Sequence, residues 1–125
     1  MILKQGEQQL GRYQVQFARF GRRGWQSHGP SVCAFITNRR LIVLPDETLT
    51  DQKPMVITPR KIRRVWRAAL GKRDGGIIEL RDGELLYFYV EWSQGAQLVR
   101  DLKQMIGFKA LPESGTATNN KQIMQ

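Results

Sequence analysis

Residues 76–107 read GIIELRDGELLYFYVEWSQGAQLVRDLKQMIG, and the hydrophobic period changes once along them. From 76 to 81 apolar residues alternate, with Ile78 and Leu80 on one face. From 85 to 90 Leu86, Phe88 and Val90 share a face and Tyr87 and Tyr89 take the other. Period two marks half-buried strands, and Asp82-Gly83 between them is a strong tight-hairpin signal. Beyond Val90 the period lengthens: Trp92, Gly95, Val99, Leu102 and Ile106 recur at three- and four-residue spacing. That spacing predicts one apolar stripe of an amphipathic helix, with Arg100, Asp101, Lys103 and Gln104 outside it. Ser93 is the expected N-cap, although Ala96 three residues on denies it a capping box. Gly107 fits the position just past the helix end. A strand hairpin followed by a single helix is thus the deciding feature.

Working back toward the N-terminus, residues 71–75 (GKRDG) read as a turn and 65–70 as a strand rich in Arg and Trp. Pro59 ends a short strand at 55–57, and 46–54 form a polar loop after Pro45. Residues 40–44 and 32–36 are two apolar runs joined by Thr37-Asn38-Arg39, short enough for a hairpin. Residues 21–31 (GRRGWQSHGPS) carry three glycines and a proline and are expected to form a long loop. Residues 10–20 alternate, with Tyr13, Val15 and Phe17 on one face and Arg12, Gln14 and Gln16 on the other. Seven strands at this length cannot stay flat. The expected fold is mainly β: a bent seven-stranded antiparallel barrel or sandwich capped by one C-terminal helix. Residues 1–108 form a single domain, and 109–125, polar and rich in Gly, Pro, Ser, Thr and Asn, form a mobile tail.

The chain has 125 residues, 41% hydrophobic and 25% charged, a composition for one globular domain. No run of 18 apolar residues is present, so no membrane-spanning helix is expected. The N-terminus lacks the apolar core of a secretory signal. One cysteine forms no internal disulfide, and one Cys with one His builds no structural zinc site, so the cytoplasm is the expected setting. Twenty basic residues against eleven acidic leave a net charge of +9, which favours anionic partners. The excess is uneven: residues 1–45 carry seven basic side chains against Glu7 alone.

The stretch 34–44 (AFITNRRLIVL), the stretch Ile57-Thr58-Pro59-Arg60-Lys61-Ile62 with Val65 three residues on, and Gln5-Gly6-Glu7 before the first strand together resemble the bacterial PH-like domains and the related GRAM domains. Thr58 between Ile57 and Pro59 is a departure from the usual Ile-Pro pattern. The resemblance implies a PH-like fold over most of the chain. It also implies a non-catalytic docking module for an anionic membrane surface or a protein partner, with no cofactor. In phosphoinositide-binding PH domains basic residues at the end of the first strand and in the following loop meet phosphates. Arg19, Arg22 and Arg23 match those positions. Val32, Cys33 and Ala34 stand where that motif needs a further basic residue, so the motif is incomplete.

The residues themselves offer three candidate surfaces. Arg19, Arg22 and Arg23 with Trp25, and Lys53 from the loop at the same expected end, suit an anionic lipid surface, with Trp25 at headgroup level; peripheral membrane attachment would follow. A second basic patch, Arg60, Lys61, Arg63, Arg64, Arg67, Lys72 and Arg73, interleaves Arg with Trp66. It reads either as a guarded strand edge or as a nucleic-acid contact, the third-ranked function. A sheet edge open to peptide addition, or to a second copy of the chain, is the runner-up. His28 has no nucleophile placed beside it by any motif, Cys33 reads as a small buried hydrophobe, and Asp46, Glu47 and Asp51 miss the EF-hand spacing.

Overall fold

The computed structural model describes residues 3–45, 54–91 and 93–110. Its elements are β1 (Gln9–Gly21), β2 (Gly24–Thr37), β3 (Leu41–Pro45), β4 (Met55–Ile57), a 3-10 turn (Pro59–Lys61), β5 (Ile62–Leu70), β6 (Arg73–Leu80), β7 (Leu85–Val90) and α1 (Gly95–Ala110). The strands form one antiparallel sheet in the order β4-β3-β2-β1-β7-β6-β5. The sheet curls into a half-barrel and α1 packs into its concave side, so the mainly-β fold expected from the alternation is the fold observed.

Alternation decides what faces inward. Tyr13 and Val15, Ala34 and Ile36, Phe88 and Val90 fill the concave core with Leu98, Val99, Leu102 and Met105 of α1. Met105, fully buried, was outside the predicted helical stripe, as was Leu98. Asp101, expected at the surface, is only 4% exposed. The Tyr13 hydroxyl donates to its carboxylate, and Gln97 Nε2 donates at 3.2 Å. Gly11 makes room for this pair, because a Cβ there would collide with the Asp101 carboxylate.

Several predicted boundaries move, β5 among them, which begins at Ile62 and not at 65. Residues 21–31 are not a loop: β1 and β2 continue as one hairpin whose turn is Arg22-Arg23, with Gly21 opposite Gly24. The glycines and proline serve the turn and a bulge instead. Gly24 has φ +90°, and His28, Gly29 and Pro30 bulge where the register shifts between Gln16–Ser31 and Ala18–Ser27. The turn expected over 71–75 shrinks to Gly71-Lys72. Gly75 and Gly76 belong to β6, where a Cβ on Gly75 would strike the Phe88 carbonyl and lie 2.8 Å from Leu70 Cδ1. At the helix, Ser93 takes φ +69° and is not the cap. Asp74 of β6 reaches over, and Gly95 N–H donates to its Oδ2 at 2.8 Å. The helix also runs through Gly107 to Ala110, past the expected stop, and so takes in the first two residues assigned to the tail; an internal Gly costs only about 1 kcal/mol relative to Ala.

Two of the resemblance motifs, 5–7 and 34–44, meet in one buried clasp. Arg40 Nε donates to Glu7 Oε2 at 2.8 Å and Thr37 Oγ1 donates to the same oxygen at 2.6 Å. The Arg39 and Arg40 amides donate back to Thr37 Oγ1. Thr37, Arg40 and Glu7 thus pin the segment before β1 onto the β2–β3 turn.

Candidate docking surface

Beyond Ala18 and before Val32 the β1–β2 hairpin pairs with no other strand among the described residues and so forms an arm, whose tip carries Arg22 and Arg23. Phe20 lies across the ladder from Trp25, their rings 5.3 Å apart and edge-on. Trp25 in turn packs edge-on against Tyr87 at 4.9 Å. The Gly71 backbone sits directly against Trp25; a Cβ added there would lie 3.6 Å from the Trp25 Cβ. Trp25 thereby joins a second apolar cluster on the convex face, where Ala18, Leu70, Ile77 and Tyr89 are buried and Trp66, Ala68 and Tyr87 pack against them. Cations stand over this face: the Arg73 guanidinium is 3.8 Å from the Tyr89 ring centre and that of Arg64 is 4.7 Å from the Trp66 ring centre.

Trp25, the aromatic singled out from the sequence, is half-buried, whereas its neighbour Phe20 is 68% exposed, the most exposed large hydrophobic among the described residues. The alternation in β1 held the signal: Phe20 falls on the face opposite Tyr13, Val15 and Phe17, at the end of the strand. Arg19, Arg22 and Arg23 are exposed and make no ion pair or hydrogen bond among the described residues. No Asp or Glu occurs between residues 8 and 45, so no carboxylate on β1, β2 or β3 offsets them. Lys53, like Asp46, Glu47, Asp51 and Trp92, lies outside the described residues.

The second basic run does not form one patch. Arg60 and Lys61 lie on the 3-10 turn, where the Arg60 carbonyl accepts from Arg81 Nε at 2.9 Å. Arg63 and Arg64 are exposed on β5, with Arg64 paired to Glu79. Arg67 Nε donates to the buried Asp74 at 3.0 Å. Lys72 and Arg73 follow Gly71 and stand beside the arm through the Gly71–Trp25 contact. Asp74 stays below the usual carboxylate range: burial pushes it up, but Arg67 and the Gly95 and Gly75 amides outweigh that. Cys33 also differs from expectation: it is only half-buried, and its sulfur accepts from Arg12 Nε at 3.4 Å on the outer face of β2. His28 lies exposed in the bulge. No group of three or more His, Cys, Asp or Glu is placed to hold a metal among the described residues, and no described helix is long and apolar enough to cross a membrane.

No family model matches the chain, and no curated protein matches it. Solved structures do. The PH domain of human oxysterol-binding protein-related protein 11 superposes with a TM-score of 0.58 at 14% identity, covering 86% of this chain and 92% of that one. The C-terminal domain of an unknown protein from Leishmania infantum does so with a TM-score of 0.58 at 12% identity, covering 82% and 87%. At such identities the likeness speaks for architecture only. A curled seven-stranded half-barrel with its C-terminal helix in the open side is the PH-domain fold, and this chain has it.

Proposed function

We propose that the protein is a non-catalytic docking module, of the bacterial PH-like or GRAM-like kind, that seats its β1–β2 arm on an anionic membrane surface. The observation that carries this reading is Phe20, 68% exposed between Arg19 and the Arg22-Arg23 turn on an arm without a carboxylate. An exposed aromatic ring supplies the apolar anchor that charge alone lacks. Each basic side chain near an anionic surface contributes about 1 kcal/mol, and burying a Phe side chain adds about 1.5–3 kcal/mol. Three arginines with Phe20 therefore give attachment that is reversible and sensitive to salt, the behaviour of a peripheral cytoplasmic protein.

Co-sedimentation with phosphatidylcholine vesicles of rising phosphatidylserine content, at low and physiological salt, tests this. Binding at physiological salt is expected for the wild type, about tenfold weaker for Phe20→Ala, and lost for Arg22→Ala/Arg23→Ala. No binding at either salt overturns the proposal. So does binding at low salt alone that both variants retain, since the net charge would then act without a site. Self-association is the second reading. Met55 and Val56 on the edge strand β4 are 41% and 40% exposed, and concentration-dependent sedimentation velocity would report it.

A further inference from the structure

A groove of about 530 Å³ lies between the edge strand β4, the 3-10 turn and the β6–β7 hairpin, and no residue of the arm lines it. That is a space of small-molecule size. Met55, Val56 and Ile57 form one apolar wall, and Leu80 and Leu86 form another. Ile57 is buried, and Leu80 and Leu86 pack against the concave core, so the base of the groove is continuous with the interior. Met55 and Val56 are exposed, and the unbranched Met55 adapts its shape to what lies beside it. The 3-10 turn and the hairpin are tied together. The Arg81 amide donates to the Lys61 carbonyl at 2.8 Å and Arg81 Nε to the Arg60 carbonyl at 2.9 Å. These bonds hold one spacing between the two elements, which lowers the ordering cost of binding.

The rim carries both signs. Arg60 and Lys61 are exposed on the 3-10 turn, with Arg81 beside them, and Asp82 and Glu84 are exposed on the hairpin turn. None of these five side chains forms an ion pair among the described residues. Asp82 Oδ1 accepts the Glu84 amide at 2.9 Å, which fixes the turn and leaves the carboxylate charge in place. Opposite charges thus border one apolar groove without pairing with each other. A fatty-acid anion would leave Asp82 and Glu84 unmatched, and a cationic amphiphile would leave Arg60 and Lys61 unmatched. A head that carries both charges matches both sets.

We propose that the groove binds one molecule of a single-chain zwitterionic phospholipid. Its hydrocarbon chain lies against Met55, Val56, Leu80 and Leu86, its phosphate meets Arg60 and Lys61, and its ammonium meets Asp82 and Glu84. Chain burial supplies the affinity and the two sets of charges select the head. Such a ligand has no net charge, so the long-range pull that +9 exerts on anions plays no part in its binding. The site does not depend on the arm: the arm is proposed to meet a bilayer surface, and the groove takes a lipid monomer.

The test titrates the full chain with dodecylphosphocholine, below the concentration at which it forms micelles and at physiological salt, and follows amide NMR shifts. Saturable shifts are expected on β4, the 3-10 turn and residues 80–86. Decylphosphocholine should bind several-fold more weakly, since each fully buried methylene is worth about fourfold. Glycerophosphocholine, the head without a chain, should give no shift over the same range. Arg60→Glu/Lys61→Glu should weaken dodecylphosphocholine about fivefold or more. Glu84→Lys should weaken dodecylphosphocholine and strengthen dodecanoate, an exchange that a folding defect does not produce. Phe20→Ala, which disables the arm, should leave the titration unchanged, so this site and the arm fail separately. Any of five results overturns the proposal: no saturable shift, equal affinity for the head alone, charge variants that bind as wild type does, shifts centred on the arm, or peaks that move with protein concentration alone, which would give the groove to a second copy.

Discussion

Glu7 is the residue on which the N-terminal clasp depends. Its carboxylate is fully buried and takes bonds from Arg40, Thr37 and the Lys4 amide. The Arg40 bond chiefly, then Thr37 and Lys4, hold its pKa down to about 2 from 4.5, against the opposing pull of burial. A carboxylate depressed in the folded state contributes stability above its unfolded pKa and loses it as pH falls through the folded value. Urea midpoints should therefore drop between about pH 4.5 and pH 2, and Glu7→Gln should flatten that drop while costing about 1–3 kcal/mol at neutral pH. Gly75 is a second single-residue test. Its missing Cβ lets β7 approach, so Gly75→Ala should lower stability by about 1–3 kcal/mol through overpacking. A thermal melt unchanged from wild type would contradict this. The clasp could not be read locally: the side-chain partners of Glu7 lie 30 and 33 residues away, just as Asp101 finds Tyr13 across 88. A charged letter in a helix or before a strand reads as surface until its distant partner is known.

At the scale of elements, strands with one buried face were legible because alternation is a direct record of burial; β4 and β7 stand where the period put them. The arm was not. Glycine and proline between residues 21 and 31 resemble loop composition, yet here they provide a two-residue turn and a bulge within continuous pairing. Its aromatic pair divides the work. Trp25 fastens the arm to Tyr87 and Gly71, so Trp25→Ala should lower the melting temperature measurably. Phe20→Ala should change stability by less than about 0.5 kcal/mol, as for an ordinary surface site. If Phe20→Ala proved the more damaging of the two, the exposed ring would be structural. The fold was therefore legible almost throughout. The candidate site was half legible: the arginines were visible in composition, whereas the exposed ring depends on the hairpin continuing past the pairing of β1 with β7.

For the molecule as a whole, +9 is not spread evenly over the surface. Arg64, Arg67 and Arg40 are paired with carboxylates, whereas Arg19, Arg22 and Arg23 have no such partner among the described residues. Vesicle affinity of the wild type should fall steeply with salt because these three act as exposed charges. Arg22→Ala/Arg23→Ala should reduce that salt dependence, whereas Arg64→Ala, which removes one charge from an ion pair, should leave it nearly unchanged. Equal effects per charge removed would assign the attraction to net charge.

The Asp74 carboxylate has a consequence for how the chain acquires its structure. It accepts Arg67 from β5, the Gly75 amide of its own strand and the first amide of α1. The β5–β6 hairpin closes over a two-residue turn and is entropically cheap to form early. The helix, whose start is completed by that hairpin, gains its anchor only afterward. Native-state hydrogen exchange should then show α1 and β5–β6 opening as one cooperative unit, and Asp74→Ala should separate them, releasing the helix at lower free energy while the hairpin amides keep their protection.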